Sequence, residues 1–376
     1  MNAPAAASAG PAASIVGPAA RAIVSRTLHL APTLLWRRLF PKTAVGVCYH
    51  VVSDHRLAHI KHYRFLNRAE FEADVNYLRE RFGFIGYEEL AARRAGPAVI
   101  RDNAAILTFD DGFAECAAVA APILRRLGVP AVFFVVTDLI DNQSVFRESA
   151  AALCIDSILS QPPEQVLSLI DALGMAAHLR VPPKEALHGA VDTPLRMADL
   201  EPAPDPRLGP LLHWLLTVGP EDAALLERVC ERLGVAPQDY LQRVRPYLTT
   251  EQIRQMAQDG FTIGAHGRRH LRLQNLSPEE AEREIVGSCQ AIREITGQAS
   301  VPFAFPYSGA GIDRGWLNQL RQRCDFIGLL FDTDGLREDD PAIVQRVFGE
   351  RFGRDRTMDA ILRRAWSRRS AWRLGA

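Results

Sequence analysis

From Ala44 onward, short unbroken apolar runs alternate with longer stretches whose apolar residues recur every three or four positions. Unbroken runs of this kind read as strands buried on both faces, and the 3.6-residue recurrence reads as helices with one face on a core. Val45 to His50 is a first strand closing on a histidine, and Arg68 to Phe82 has helical spacing through Phe71, Val75 and Leu78. Phe84 to Tyr87 reads as a weaker strand, and Ala104 to Phe109 as a strong one. Ala117 to Leu127 reads as a helix stopped by Gly128, followed by a buried strand over Ala131 to Val136.

The alternation breaks off between Asp138 and Tyr247. Helical pieces there (Ser149 to Leu159, Pro163 to Leu173, Pro220 to Leu233) are joined by proline-rich links such as Glu201 to Pro206, and no strand is evident. A structureless loop of that length inside a compact domain is improbable, so the segment reads as a helical insertion. The alternation resumes with a helix over Thr250 to Asp259, a strand over Phe261 to Ala265, and a helix from Pro278 to Ile295 opened by a Ser277/Glu280 capping box. A strand over Val301 to Pro306, a helix over Arg314 to Cys324 and a last strand over Phe326 to Phe331 complete it. Repeated strand-helix units predict an α/β fold whose parallel sheet is covered on both faces, open or closed into a barrel.

Composition narrows this picture. The chain has 376 residues, 48% of them hydrophobic, enough for one large barrel with insertions, and 44 basic residues balance 44 acidic ones. That balance gives no overall attraction to nucleic acid. The six cysteines stand singly, without a C-x-x-C pair, and read as reduced thiols of a cytosolic protein. No secretory signal or membrane span is evident. Arg21 to Lys42 and the stretch from Arg351 mix arginines with Leu, Ile, Met and Trp, the latter with Met358, Ile361, Leu362, Ala365 and Trp366 at helical spacing and Trp372 beyond. Basic amphipathic segments of this kind can lie against an anionic membrane or pack their apolar faces on the barrel, so the expected location is cytoplasmic, with peripheral contact at the inner face of the membrane as one of these two alternatives. The expected division is a leader over 1–42, a barrel over 43–137 and 247–356, a helical insertion over 138–246 and a basic amphipathic tail over 357–376.

The candidate chemistry sits at strand ends. The run Ala104 to Phe109 stops in Asp110-Asp111-Gly112. Asp and Gly are ordinary turn residues, but two adjacent carboxylates repel unless a cation neutralises them or one takes up a proton. His266 and His270 follow another strand directly. Two neutral imidazoles and one carboxylate, from Asp110 or Asp111, form a three-ligand set suited to Zn²⁺ with a position left open. Both groups fall at carboxyl ends of strands, where α/β barrels assemble their sites.

These residues resemble the polysaccharide deacetylases with NodB homology, carbohydrate esterase family 4. Thr108-Phe109-Asp110-Asp111-Gly112 reproduces the first motif, His266-Gly267-Arg268-Arg269-His270 the second with Gly267 in place of Ser or Thr, and Phe303 to Gly309 resembles the third. The resemblance covers about 45 to 137 and 247 to 350. It implies a distorted (β/α) TIM-like barrel of about seven strands, Asp110 as general base, and Asp111, His266 and His270 as ligands of Zn²⁺ or another divalent transition metal. It also implies an oxyanion hole to which the Tyr307 backbone N–H contributes. Two features depart from the family: Val301-Pro302 precede the third motif where an arginine is usual, and no histidine follows His270 to act as the acid. Relatives acting on poly-N-acetylglucosamine take the acid from a Tyr-His pair after the first strand, which Tyr49-His50 matches, so His50 is the candidate acid. Asp332 or Asp334 only loosely matches the fourth motif.

The expected function is metal-dependent removal of an N-acyl group, acetyl first, from an amino sugar of a polysaccharide, oligosaccharide or lipid-linked precursor. The alternatives are hydrolysis of a non-carbohydrate C–N bond and a non-catalytic glycan-binding barrel. Phe133-Phe134 reads as core, Arg268-Arg269 as exposed arginines without a specific role, with contact to an anionic group as the alternative, and His55, His59 and His62 as members of a polar loop.

Overall fold

The structure, a computed structural model, describes residues 44–95, 104–175, 205–336, 339–350 and 357–373. The leader over 1–42 lies outside them. Its first half alternates as β1 (Ala44–Tyr49), α1 (Arg68–Arg81), β2 (Gly83–Phe84), α2 (Tyr87–Ala95), β3 (Ala104–Phe109), α3 (Ala121–Leu127) and β4 (Ala131–Val135). The insertion follows as α4 (Arg147–Leu159), α5 (Pro163–Ala172), α6 (Gly209–Thr217), α7 (Ala223–Arg232) and α8 (Pro237–Val244). Then come α9 (Thr250–Gln258), β5 (Thr262–Ala265), α10 (Pro278–Thr296), β6 (Val301–Ala304), α11 (Arg314–Arg323), β7 (Ile327–Asp332), β8 (Ile343–Phe348) and α12 (Met358–Arg373).

All strand pairs are parallel, and β1 lies between β3 and β8, which closes β1 and β3 to β8 into a seven-stranded barrel. The two-residue β2 pairs only with the first two residues of β3. Along β3, Ala105, Leu107 and Phe109 face the helices, while Ile106 joins Val132, Phe134, Phe331 and Val344 inside the barrel, as strand alternation requires. Phe133 and Phe134 are both core, on opposite sides of β4.

Four expectations need correction. The strand expected over Phe84 to Tyr87 ends at Phe84, because Tyr87 opens α2. The helix expected from Ala117 starts as a π-helical turn over Cys116–Ala120 before α3. β7 is not the last strand: β8 follows it, and its Gln345-Arg346 pair interrupts the apolar run by which a buried strand is recognised. Within the insertion, α6 was not foreseen because Gly209–Thr217 is apolar on nearly every side. Such a helix shows little amphipathic period, since only the narrow face of Pro210, His213 and Thr217 is left partly exposed.

The insertion has its own core, in which Cys154 and Ile155 of α4 pack with Leu211, Leu212 and Leu215 of α6 and Val229 of α7. Cys154 and Cys230 are in contact there at 3.3 Å between sulfurs, and all six cysteines are free. At its barrel end, Phe146, Leu241 and Tyr247 form a small cluster with Val51, Phe113 and Val136, so α4 begins at the barrel mouth. The apolar side of α12 is also occupied: Met358, Ile361, Leu362 and Trp366 belong to the main core, with Trp366 6.0 Å from Phe82 and Asp359 accepting from the Tyr77 hydroxyl at 2.6 Å. Burial of each such side chain stabilises the docked helix by about 1.5–3 kcal/mol, so these residues are committed to the barrel. Among the described residues, no helix is long and apolar enough to cross a membrane.

Candidate active site

The chain leaves β3 through Asp110 and turns at once, with Asp111 and Gly112 both left-handed at φ 73° and 77°. A side chain at Gly112 would come within 2.9 Å of Val135, so the turn packs directly on the end of β4. Because Asp111 sits in this turn, strand alternation does not separate the two carboxylates. Both approach His266 Nε2, Asp111 Oδ1 at 3.6 Å and Asp110 Oδ2 at 3.8 Å.

His266 follows β5 and is anchored twice, its backbone N–H on the Val135 carbonyl and its Nδ1 on the Ala304 carbonyl, each at 2.9 Å. A carbonyl can only accept, so Nδ1 carries the proton and Nε2 turns a lone pair toward Asp111. Burial pulls the His266 pKa down to about 3, which keeps the ring neutral. The segment to His270 is not helical. Gly267 and His270 are left-handed at φ 72° and 55°, and this brings the two rings to 4.9 Å. The left-handed turn explains glycine where the family has Ser or Thr. Glu284 of α10, 2% exposed, holds the turn by accepting from the backbone N–H groups of Arg268 and Arg269 at 2.8 and 3.0 Å. Glu284 also pairs with the Arg269 side chain, and Arg268 pairs with Asp138, so neither arginine is free for an anion.

Ligand atoms of Asp111, His266 and His270 lie within 4.8 Å of one another, with His270 Nε2 3.4 Å from Asp111 Oδ1. That oxygen is buried and has no hydrogen-bond partner. A carboxylate oxygen between two imidazole nitrogens, left unpaired in the interior, suits a divalent cation, and the donor set suits zinc.

Asp110 is treated differently. Arg346 of β8, fully buried, grips both its oxygens, Nη1 to Oδ1 at 2.7 Å and Nη2 to Oδ2 at 2.9 Å, and Nη1 also donates to Thr108 at 3.0 Å. Gly46 makes room for the stem of Arg346: a Cβ there would lie 2.6 Å from Arg346 Cγ. Burial alone would raise the Asp110 pKa, but the guanidinium outweighs it and holds the carboxyl well below the usual range. A second possible trio, Cys48, His50 and Asp110, is less suited to a metal, because burial raises the Cys48 pKa and its thiol donates to Asp110 at 3.3 Å.

His50 follows β1, with Nδ1 3.0 Å from Glu350 Oε1 and its ring stacked on Tyr63 at 4.4 Å. Burial pulls its pKa down, but Glu350 outweighs it and raises the value to about 9, so His50 holds a proton at neutral pH. Tyr307 follows β6 with φ 62°, its carbonyl accepting from Thr333 Oγ1 at 2.7 Å and its hydroxyl hydrogen-bonded to Glu148. Asp332 accepts from the Gly309 and Thr333 N–H groups at 2.9 and 2.8 Å and fixes the same loop. Of the loop histidines, His55 is exposed, but His59 is buried with Nδ1 2.8 Å from the Tyr240 hydroxyl. Arg346, Glu350 and Glu148 had no place among the sequence candidates.

The polysaccharide deacetylase family profile matches residues 100–178 and 233–324, which include Asp110, Asp111, His266 and His270. The barrel is thus similar to those of the polysaccharide deacetylases. Its fold is similar to that of the deacetylase PplD of Streptococcus pyogenes solved with acetate, at 14% identity over 87% of this chain and 99% of that one, with a TM-score of 0.50. A polysaccharide deacetylase from Bacillus cereus matches at 14% identity over 82% of this chain with a TM-score of 0.45, and the chain spans 65% of that protein's length. IcaB from Ammonifex degensii matches at 17% identity over 87% and 97% of the two chains, with a TM-score of 0.45. None of the curated proteins compared matches the chain.

Proposed function

We propose that the protein is a metal-dependent hydrolase that removes an N-acyl group, acetyl first, from an amino sugar in a glycan or glycan precursor. The observation that carries this reading is the unequal treatment of adjacent carboxylates: Arg346 occupies both oxygens of Asp110, while Asp111 keeps a buried, unpartnered oxygen beside two imidazoles. Asp111, His266 and His270 would hold the ion. A divalent ion there would polarise the amide carbonyl and acidify a water beside it.

The chain's own groups do the rest. Asp110, ionised throughout the neutral range, accepts the proton of the attacking water; the carboxylate has lone pairs left after both contacts with Arg346. Its low basicity is the cost of that pairing. The Tyr307 backbone N–H donates to the oxygen on which negative charge develops. His50, protonated and held by Glu350, gives its proton to the departing nitrogen, so the products are carboxylate and free amine. Tyr63 stacked on one face of His50 and Glu350 at Nδ1 fix the ring's orientation.

The test is release of equal amounts of acetate and free amine from N-acetylated oligosaccharides, abolished by a chelator and restored by Zn²⁺. A folded, zinc-loaded protein that cleaves none of them but hydrolyses other amides would move the reading to a non-carbohydrate substrate. Saccharide binding without zinc or turnover would move it to a glycan-binding barrel.

A further inference from the structure

The two imidazoles of the proposed metal trio are supported unequally. His266 has Nδ1 on the Ala304 carbonyl at 2.9 Å, whereas His270 Nδ1 is buried without a hydrogen-bond partner. The acceptor facing it is Glu148 Oε1, 3.9 Å away. Glu148 does not come from the barrel. It lies in the first turn of α4, where the insertion meets the barrel mouth, and its own Oε2 is also buried without a partner. Its Oε1 accepts from the Tyr307 hydroxyl and from Arg147 Nη2, and Arg147 Nη2 donates to the Tyr307 hydroxyl at 3.0 Å. One carboxylate from the insertion therefore touches the residue whose N–H is the proposed oxyanion donor and faces the back of a proposed ligand.

An imidazole that offers Nε2 to a cation carries its proton on Nδ1, and a buried N–H without an acceptor costs about 1–3 kcal/mol. Metal-bound histidines meet this need with a carboxylate, carbonyl or water behind the ring, and removal of that partner typically costs 10–100-fold in metal affinity. Among the described residues, the barrel supplies such a partner for His266 through Ala304. For His270 the acceptor facing Nδ1, at 3.9 Å, is Glu148 of the insertion.

We infer that Glu148 is a positioning residue that accepts the Nδ1–H of His270 when Nε2 binds a cation, and that by its bond to Tyr307 it holds the loop carrying the oxyanion donor. The inference rests on the metal-dependent reading above. It gives the insertion a stated part in the site: the insertion completes the support of one ligand.

The test is the Zn²⁺ dissociation constant, read by competition with a chromophoric chelator, for the full-length protein and for Glu148→Ala, Glu148→Gln and Tyr307→Phe. Glu148→Ala should weaken zinc binding about 10–100-fold. Glu148→Gln, whose amide oxygen still accepts from Nδ1–H, should recover much of that loss. Tyr307→Phe, which removes only the hydroxyl contact, should bind zinc as the wild type does. Equal affinity for Glu148→Ala and wild type would overturn the inference. So would a loss in Tyr307→Phe as large as in Glu148→Ala, because Glu148 would then act through packing of the mouth. If Glu148→Ala does not fold, Glu148→Gln decides: a loss smaller than tenfold supports the role, and a loss of a hundredfold or more opposes it. Failure of the wild type to bind zinc would remove the metal-dependent reading itself, an outcome distinct from the others.

Discussion

The two sides of the barrel mouth handle buried charge in opposite ways. On the side built from β1, β3 and β8, each acid has its own cation: Asp110 has Arg346, and Glu350 has His50. Arg346 Nε and Glu350 Oε2 are left without hydrogen-bond partners there, but the charges match. On the side built from the Asp111 turn, the loop after β5 and α4, Asp111 Oδ1 faces imidazole nitrogens at 3.4 and 3.6 Å and has no hydrogen bond. The first side pairs each acid with a cation of the chain, whereas on the second Glu148 pairs with Arg147 and Asp111 Oδ1 stays without a hydrogen bond, as the proposed cation would require. On the proposed reading, proton transfer needs groups held ready and metal binding needs groups left wanting, so adjacent residues of one turn would serve different ends.

The comparison breaks most severely at Arg346. Arg346→Met leaves Asp110 buried without its cation and should destabilise the protein by about 3–5 kcal/mol in chemical denaturation. The pair's contribution is present above the ordinary carboxylate pKa and fades as pH falls toward the depressed folded value, so the gap between wild type and variant should close in acid. Adding Asp110→Asn to Arg346→Met should restore most of the loss, and a double variant no more stable than the single would show that packing of Arg346, not its charge, is what matters.

A smaller effect separates the sides in the opposite direction. Burial raises the Asp111 pKa, so without metal its contribution to stability is lost as pH rises through that value. Metal-free Asp111→Asn should therefore melt above metal-free wild type at neutral pH. Zinc at a hundred times its dissociation constant should stabilise the wild type by about 2.7 kcal/mol and the variant not at all. Thermal melts with and without zinc give both results. A variant that melts lower without zinc would contradict the reading of Asp111 as an uncompensated charge.

The smallest expected effect is a change of pH profile. If His50 is the acid, kcat/KM should fall above about pH 9, where the ring loses its proton. Glu350→Gln removes the foremost of the groups that raise this pKa, leaving Asp111 and Asp110 against burial, which lowers it, so the alkaline limb should move toward lower pH. The stability that His50 gains from Glu350 is present below its ordinary pKa and lost as pH rises through about 9, and the variant should lack that dependence. An alkaline limb unmoved in Glu350→Gln would take His50 out of the acid role.

The strand-helix rhythm made the barrel legible in the sequence, and the strand-end positions of Asp110, Asp111, His266, His270 and His50 made most of the candidate site legible too. Each advertised itself as a polar group where an apolar run stops. The supporting groups carry no such local signal. Arg346 lies inside a strand, where it reads as an interruption, and its meaning depends on an aspartate 236 residues earlier. Glu148 lies in the first turn of a helix, where an acid is expected on dipole grounds alone. Pairings between distant elements decide which of two neighbouring carboxylates is compensated, and no periodicity within either element records them. The apolar face of α12 has the same limit: helical spacing shows that a face is apolar but not what covers it, and Met358, Ile361, Leu362 and Trp366 lie in the barrel core.

The division of labour between the two carboxylates is tested most directly by the zinc content per folded chain of wild type, Asp110→Asn and Asp111→Asn, measured by elemental mass spectrometry after zinc loading and gel filtration. One zinc per chain is expected in wild type and in Asp110→Asn, with turnover lost in the latter by about 10²–10⁴-fold, and none in Asp111→Asn. Zinc absent from Asp110→Asn, or retained in Asp111→Asn, would contradict the account.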